Sequence, residues 1–245
     1  MTTAIRINKL KKEYKDVVAV DDLDLEIKEG ELFSLLGVNG AGKTTTIKML
    51  TTLVAPTSGD AFIYGLSILK DGNKIKEIVD ISMQETAIAR KLTVEENIDF
   101  YAELSGQDKE ERKQTKRFVY EAFALDKVAK KRADRLSGGW QRKLSIALAL
   151  VTKPKVLFLD EPTLGLDVLA RRELWKTISS LKGKMTIILT THYMEEAEAL
   201  SDRIGVMKDG RLYFVGTKEE MFEKTEKTSV EDAFIELVSG GEENA

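Results

Sequence analysis

The chain contains no cysteine, which excludes a disulfide framework and any thiolate metal site. It has no long apolar run: nothing approaches the roughly 20 residues that a membrane-spanning helix needs. The opening MTTAIRINKL lacks the apolar centre of a secretion signal, so a chain soluble by itself is expected. Neither charge is in large excess. The 38 basic and 41 acidic residues leave −3, and without a basic surplus no nucleic-acid partner is expected. Internal repeats and low-complexity linkers are missing too, and histidine occurs once. What remains is 245 residues of 42% apolar composition, enough for one large domain with or without a subdomain.

Short apolar runs alternate with longer amphipathic segments, the pattern of an α/β domain. Leu32–Leu36, Ile78–Ser82, Val156–Leu159 and Met185–Leu189 are the expected strands; three of them lack polar alternation and read as central strands covered on both faces. Ile5–Leu10 and Val20–Ile27 alternate apolar and polar positions, which predicts an antiparallel sheet within residues 1–30, packed on one side. Asp209-Gly210 between two short runs signals a hairpin. From about residue 92 to 151 the pattern turns helical, with Val94, Ile98, Tyr101 and Ala102 at helical spacing, and predicts a helical subdomain inserted in the α/β core. Residues 1–238 are read as one domain, and 239–245 as a polar tail that frays.

The segment Gly37-Val38-Asn39-Gly40-Ala41-Gly42-Lys43-Thr44 fits G-x-x-x-x-G-K-[ST], after an apolar strand and before a helical run predicted over Thr45–Leu53. Glycines let successive N–H groups turn inward around phosphate oxygens, and the helix end adds partial positive charge. Lys43 can reach the β- and γ-phosphates, and the Thr44 hydroxyl can ligate Mg²⁺. Alone, this loop says only that a nucleoside triphosphate binds.

A second signal is Val156–Leu159 running straight into Asp160-Glu161-Pro162. Two adjacent carboxylates at a buried strand end need a cation or donors nearby. Mg²⁺ meets that need, with Asp160 holding the metal's water shell and Glu161 accepting a proton from attacking water. Topology adds an independent check. Gly37, Gln84, Asp160 and His192 each follow a predicted strand in the same sense, and ligands of open α/β sheets bind beyond the carboxyl ends of strands.

Leu136-Ser137-Gly138-Gly139 precedes a helical run from Trp140 to Val151, with Ser137 where an N-cap belongs. Read alone it is a capped helix start. Beside the phosphate loop and the acidic pair it resembles the signature motif of ABC ATPases, and the resemblance extends over nearly the whole chain in the family's motif order. The resemblance implies an α/β P-loop NTPase core: a central, mostly parallel sheet, an N-terminal antiparallel β subdomain and an inserted α-helical subdomain. It implies ATP bound over Gly37, Val38, Asn39, Gly40, Ala41, Gly42, Lys43, Thr44 and Thr45, with Tyr14 stacked on adenine. Ser137, Gly138, Gly139 and Asp167 (in Leu164-Gly165-Leu166-Asp167, matching the D-loop) complete the nucleotide contacts. Mg²⁺ would be held by Thr44, Gln84 and Asp160. Glu161, His192 (the switch histidine), Lys43 and Gln84 would carry catalysis.

The resemblance further implies an ATPase that closes head to tail with a second ATP-binding subunit, as homodimer or heterodimer. It would drive a separate integral membrane permease from the cytoplasmic face of the cell membrane. Glu161–Ala170 and Thr191–Gly216 look most like ATPases of bacterial drug-exporter and sodium-extrusion-type systems. A soluble ABC ATPase unconnected with transport stays open as the alternative. Three positions depart from the family pattern. Val38 stands where proline is usual, Thr44 where serine is, and Trp140 where glutamine or methionine follows the signature glycines.

Overall fold

A computed structural model describes residues 2–239, so residues 240–245, most of the segment expected to fray, lie outside the described residues; Ser239 itself ends a helix. The first two strands, β1 (Thr3–Tyr14) and β2 (Val17–Lys28), pair antiparallel. β3 (Leu32–Leu36) leads into α1 (Lys43–Leu50). Then come β4 (Ser58–Ile63), β5 (Leu66–Ser67), α2 (Gly72–Lys76) and β6 (Val79–Ser82). A helical stretch follows: α3 (Val94–Leu104), α4 (Lys109–Phe123), two short 3-10 turns and α5 (Gly138–Val151). β7 (Val156–Asp160), α6 (Val168–Ser179), β8 (Thr186–Thr191) and α7 (Met194–Leu200) continue the α/β alternation. The described chain ends with β9 (Arg203–Lys208), β10 (Arg211–Gly216), α8 (Lys218–Thr225) and α9 (Val230–Ser239).

Two sheets result. The larger runs β10-β9-β3-β8-β7-β6, parallel throughout except for the β9–β10 hairpin turned at Asp209-Gly210. The smaller is β2-β1-β4-β5, all antiparallel. Strand periodicity then sorts side chains between layers. On β7, Leu157 and Leu159 join a core with Val94, Ile98, Phe123 and Leu144 of the helices. Val156 and Phe158 point the other way, into a core shared with Ile47 and Leu50 of α1 and with Ile5, Leu23 and Ile63 of the small sheet. The α1 helix is therefore sandwiched between two sheets, which fixes the loop before it. A third core packs α7, α8 and α9 against β9 and β10 through Val206, Phe214, Ala197, Met221 and Phe234.

The expected α/β class with its antiparallel N-terminal sheet and helical insertion is what the chain adopts, with local differences. The small sheet extends past residue 30 to include β4 and β5. The expected helix Thr45–Leu53 instead spans Lys43–Leu50. Its end is a left-handed turn at Thr52, with the Leu53 N–H donating back to the Lys48 carbonyl at 2.9 Å, so orphan helix carbonyls are satisfied and the helix stops. The expected strand Met185–Leu189 is shifted to Thr186–Thr191, because Thr190 and Thr191 pair with Asp160 and Leu36 in the parallel ladder and are fully buried.

Candidate nucleotide site

The carboxyl ends of β3, β6, β7 and β8 face one way, and Gly37, Gln84, Glu161 and His192 emerge there. They surround a cleft of about 390 Å³ lined by Ala19, Asn39, Gly40, Ala41, Gly42, Lys43, Thr44, Thr45, Gln84, Glu161, Leu164 and His192. The loop that forms its floor is held by the sheet: the Gly37 N–H donates to the Thr191 carbonyl at 3.2 Å. Gly42 has φ +101°, a conformation that side chains disfavour. A Cβ on it would sit 2.3 Å from the Ala19 carbonyl oxygen and 2.8 Å from Met207 Cε. Gly42→Ala should therefore destabilise the fold by at least ~2 kcal/mol, combining the left-handed penalty with overpacking. Urea unfolding checks this, and an unchanged midpoint would show that the loop relaxes freely.

Lys43 opens α1 and is only 4% exposed. Its ammonium donates to the carbonyls of Gly37 at 2.7 Å and Val38 at 3.0 Å, and lies 3.7 Å from Glu161 Oε1. Burial pulls its pKa below the ordinary lysine value, and the charges of Glu161 and Asp160 push it back up. The Thr44 hydroxyl donates to Asp160 at 3.0 Å, and Thr190 donates to the same carboxylate from β8. Hard oxygen atoms from three elements, α1, β7 and β8, thus meet at one point.

Glu161 follows β7 with φ +46°, a left-handed turn immediately after an extended strand. Its N–H is held at 3.1 Å by both the carbonyl and the hydroxyl of Thr190. The turn aims its carboxylate at Lys43 and at His192, whose Nδ1 is 3.1 Å from Glu161 Oε2 without hydrogen-bond alignment. Strained backbone of this kind persists only where its surroundings hold it.

Other expected site residues lie elsewhere. Tyr14 does not line the cleft: it ends β1, 44% exposed, with Lys12 Nζ 4.9 Å from its ring centre. Asp167 caps α6 by accepting the N–H groups of Leu169 and Ala170, both at 2.9 Å. Ser137 occupies the N-cap position of α5 by backbone conformation, but its side chain makes no capping hydrogen bond. Ser137 and Gly138 are exposed, and a Cβ on Gly139 would come 3.2 Å from Ala170 Cβ, so the signature turn adjoins the start of α6. The Trp140 ring packs partly buried against the helical core with Lys143 Nζ 4.7 Å from its centre.

Two buried groups escaped the sequence reading. Arg142 on α5 is 4% exposed and donates to five backbone carbonyls, those of Met83, Gln84, Asp160, Glu161 and Pro162. Burial lowers its pKa to about 10, so it is charged at neutral pH. Glu196 on α7, fully buried, accepts from Thr163 at 2.8 Å and Trp175 at 3.0 Å, and burial raises its pKa. The one signal for Arg142 was its place, with Lys143, directly before the mostly apolar run Leu144–Val151.

The family model described as ABC transporter matches residues 20–164. The chain is 42% identical over 221 residues to the phospholipid-transporting ATPase ABCA3 of Homo sapiens, which covers 89% of this chain and 13% of that protein. It is 37% identical over 242 residues to "Probable multidrug ABC transporter ATP-binding protein YbhF" of Escherichia coli (strain K12), covering 96% of this chain and 42% of that one. It thus spans less than half the length of either relative. Among solved structures, a post-hydrolysis dimer of the ATP-binding cassette MJ0796 bound to ADP and Pi superposes with a TM-score of 0.77 at 25% identity, over 87% of this chain and 98% of that one. The chain belongs to the ABC transporter family, as an ATP-binding cassette and ATPase.

Proposed function

We propose that this ATPase powers an exporter by closing head to tail with a second ATP-binding subunit on a separate integral membrane permease, at the inner face of the cell membrane. The observation that carries it is a division of labour. The cleft gathers the phosphate loop, Glu161 and His192, whereas the exposed N-terminus of α5 at Ser137–Gly139 lies outside that cleft in the same chain. A helix N-terminus with unspent N–H groups suits an anion, and a second copy is the natural source of one. The dimeric form of the MJ0796 cassette supports this reading, and similarity to the "Phospholipid-transporting ATPase ABCA3" and to the "Probable multidrug ABC transporter ATP-binding protein YbhF" supports a transport role, which we read as export. Among the described residues no helix is long and apolar enough to cross a membrane, so the pore is assigned to another polypeptide or segment.

The side chains support the following roles. N–H groups of Gly40 to Thr45 wrap the phosphates, and Lys43 meets the β- and γ-phosphates. Tyr14, exposed at the end of β1, stacks on adenine. Glu161 takes the proton of a water whose oxygen attacks the γ-phosphorus as the bond to the bridging oxygen breaks and ADP leaves. His192, beside Glu161, holds the γ-phosphate and keeps the carboxylate in place. The oxygens of Thr44 and Asp160, already within hydrogen-bond distance of each other, fit a hard cation that keeps most positions for phosphate and water. With Gln84 at the cleft rim they would hold Mg²⁺, whose chemistry there is neutralisation of phosphate charge. Asp167 orders the loop facing the second subunit.

Affinity capture of the tagged chain from detergent-solubilised membranes of its host should bring down a multi-span membrane protein in comparable amount. Recovery of further ATPase copies with no membrane protein would favour a soluble machine instead.

A further inference from the structure

We propose that Arg142 is a positioning residue for ATP hydrolysis, its buried guanidinium locking the backbone that carries Glu161 to the Met83–Gln84 turn. The inference rests on the reading of Glu161 as the proton acceptor. Arg142 Nε donates to the Pro162 carbonyl at 2.7 Å, and Nη2 to those of Asp160 at 2.9 Å and Glu161 at 2.6 Å. Nη1 donates to the carbonyls of Met83 and, at 3.1 Å, Gln84. Five carbonyl dipoles therefore converge on one side chain, with their negative ends together. Only a cation with several donors in a fixed plane stabilises such a convergence, and guanidinium is the side chain with that shape.

The three segments so joined are those whose relative placement decides catalysis. Asp160–Pro162 contains the left-handed turn at φ +46° that aims the Glu161 carboxylate. Met83–Gln84 leads out of β6 onto the cleft rim. The helix bearing Arg142 begins at Gly138, about one turn earlier, just after Ser137. A shift of the Gln84 turn or of α5 must then either break hydrogen bonds to Arg142 or drag the Glu161 backbone with it. Lysine cannot substitute, since one ammonium offers three donors from a point rather than a planar fork.

The test compares Arg142→Lys and Arg142→Gln with the wild type in the full chain. Turnover at saturating ATP should fall roughly 10–100-fold, the scale of loss from a small misplacement of a catalytic group. Affinity for a fluorescent ADP, held by the loop that Arg142 does not touch, should stay within about twofold, and KM should move little. In a Glu161→Gln background Arg142→Lys should cost no further turnover, because it acts through the group already removed. Wild-type turnover in a folded variant, equal losses of turnover and ADP affinity, or a full additional loss in the double variant would each overturn the proposal. Should neither variant fold, arginine-labelled wild type read by NMR replaces them. A slowly exchanging guanidinium whose shifts differ between the magnesium complexes of ADP and a non-hydrolysable ATP analogue is expected, and unchanged shifts overturn it. Failure of the wild type to hydrolyse ATP would remove the Glu161 reading itself, whereas an active wild type with indifferent Arg142 variants removes this inference alone.

Discussion

Glu161→Gln should lower ATP turnover by roughly 10²–10⁴-fold, the contribution of a positioned general base, while leaving ATP binding intact. Glutamine has nearly the same shape and fits the same left-handed turn, whose N–H is held by Thr190 and whose carbonyl is held by Arg142. What it loses is the capacity to take a proton. Its charge is lost as well, with a consequence of definite sign. Glu161 is the largest electrostatic influence keeping buried Lys43 protonated, ahead of Asp160, so its removal lowers the Lys43 pKa further in the absence of phosphate. With ATP present the phosphates take over as counter-charge, and one carboxylate fewer faces the γ-phosphate. Binding should therefore hold or tighten. Phosphate release and fluorescent-nucleotide titration on the same preparation separate the two effects. Wild-type turnover in the variant would remove Glu161 as the base and leave its contact with His192 without a catalytic purpose.

The parts of this arrangement that could be read in advance share one property: their physics is local. A phosphate loop is a run of glycines before a helix, and β3 and β7 are short apolar runs, so residues 32–44 and 156–161 declare themselves. The parts that could not be read depend on partners distant in the chain. β4 was missed because Ser58-Gly59-Asp60 has no strand character of its own. It is a strand because β1 lies against it, so close that a Cβ on Gly59 would come 2.1 Å from the Lys9 carbonyl oxygen. Thr190 and Thr191 look polar, yet as β-branched residues they extend β8 into the cleft and tie its end to Asp160, Glu161 and Gly37. Arg142 looks like a surface charge on a helix, and nothing nearby in sequence announces five carbonyls from two other loops. Ser137 fits an N-cap by position, but its hydroxyl does no capping, a fact visible only once its side-chain contacts are known.

That uncommitted hydroxyl leads to the second large effect: Ser137→Arg should abolish ATP-dependent dimerisation with little change in the affinity of the single subunit for nucleotide. Because Ser137 is exposed and caps nothing, arginine there displaces no internal hydrogen bond, and the phosphate loop that binds ATP in the same chain is elsewhere. The surface it disturbs is continuous with the start of α6, where Gly139 faces Ala170 and where Val168 and Leu169 stand 62% and 75% exposed. In the proposed closed dimer, two copies of the α5 N-terminus each meet the other's γ-phosphate. Hydrogen bonds to a charged group contribute about 1.5–3 kcal/mol, so losing one at each of two sites weakens association by roughly 10²–10⁴-fold. Light scattering of the Glu161→Gln protein with magnesium ATP, with and without the second substitution, measures this directly; a dimer persisting at the same concentration would refute recognition across the interface. Ser137→Ala separates the two possible sources of the contact. Orphan N–H groups of the first helical turn and the helix dipole survive that change, so it should weaken the dimer far less than arginine does. An alanine variant as defective as the arginine one would instead assign the contact to the hydroxyl itself.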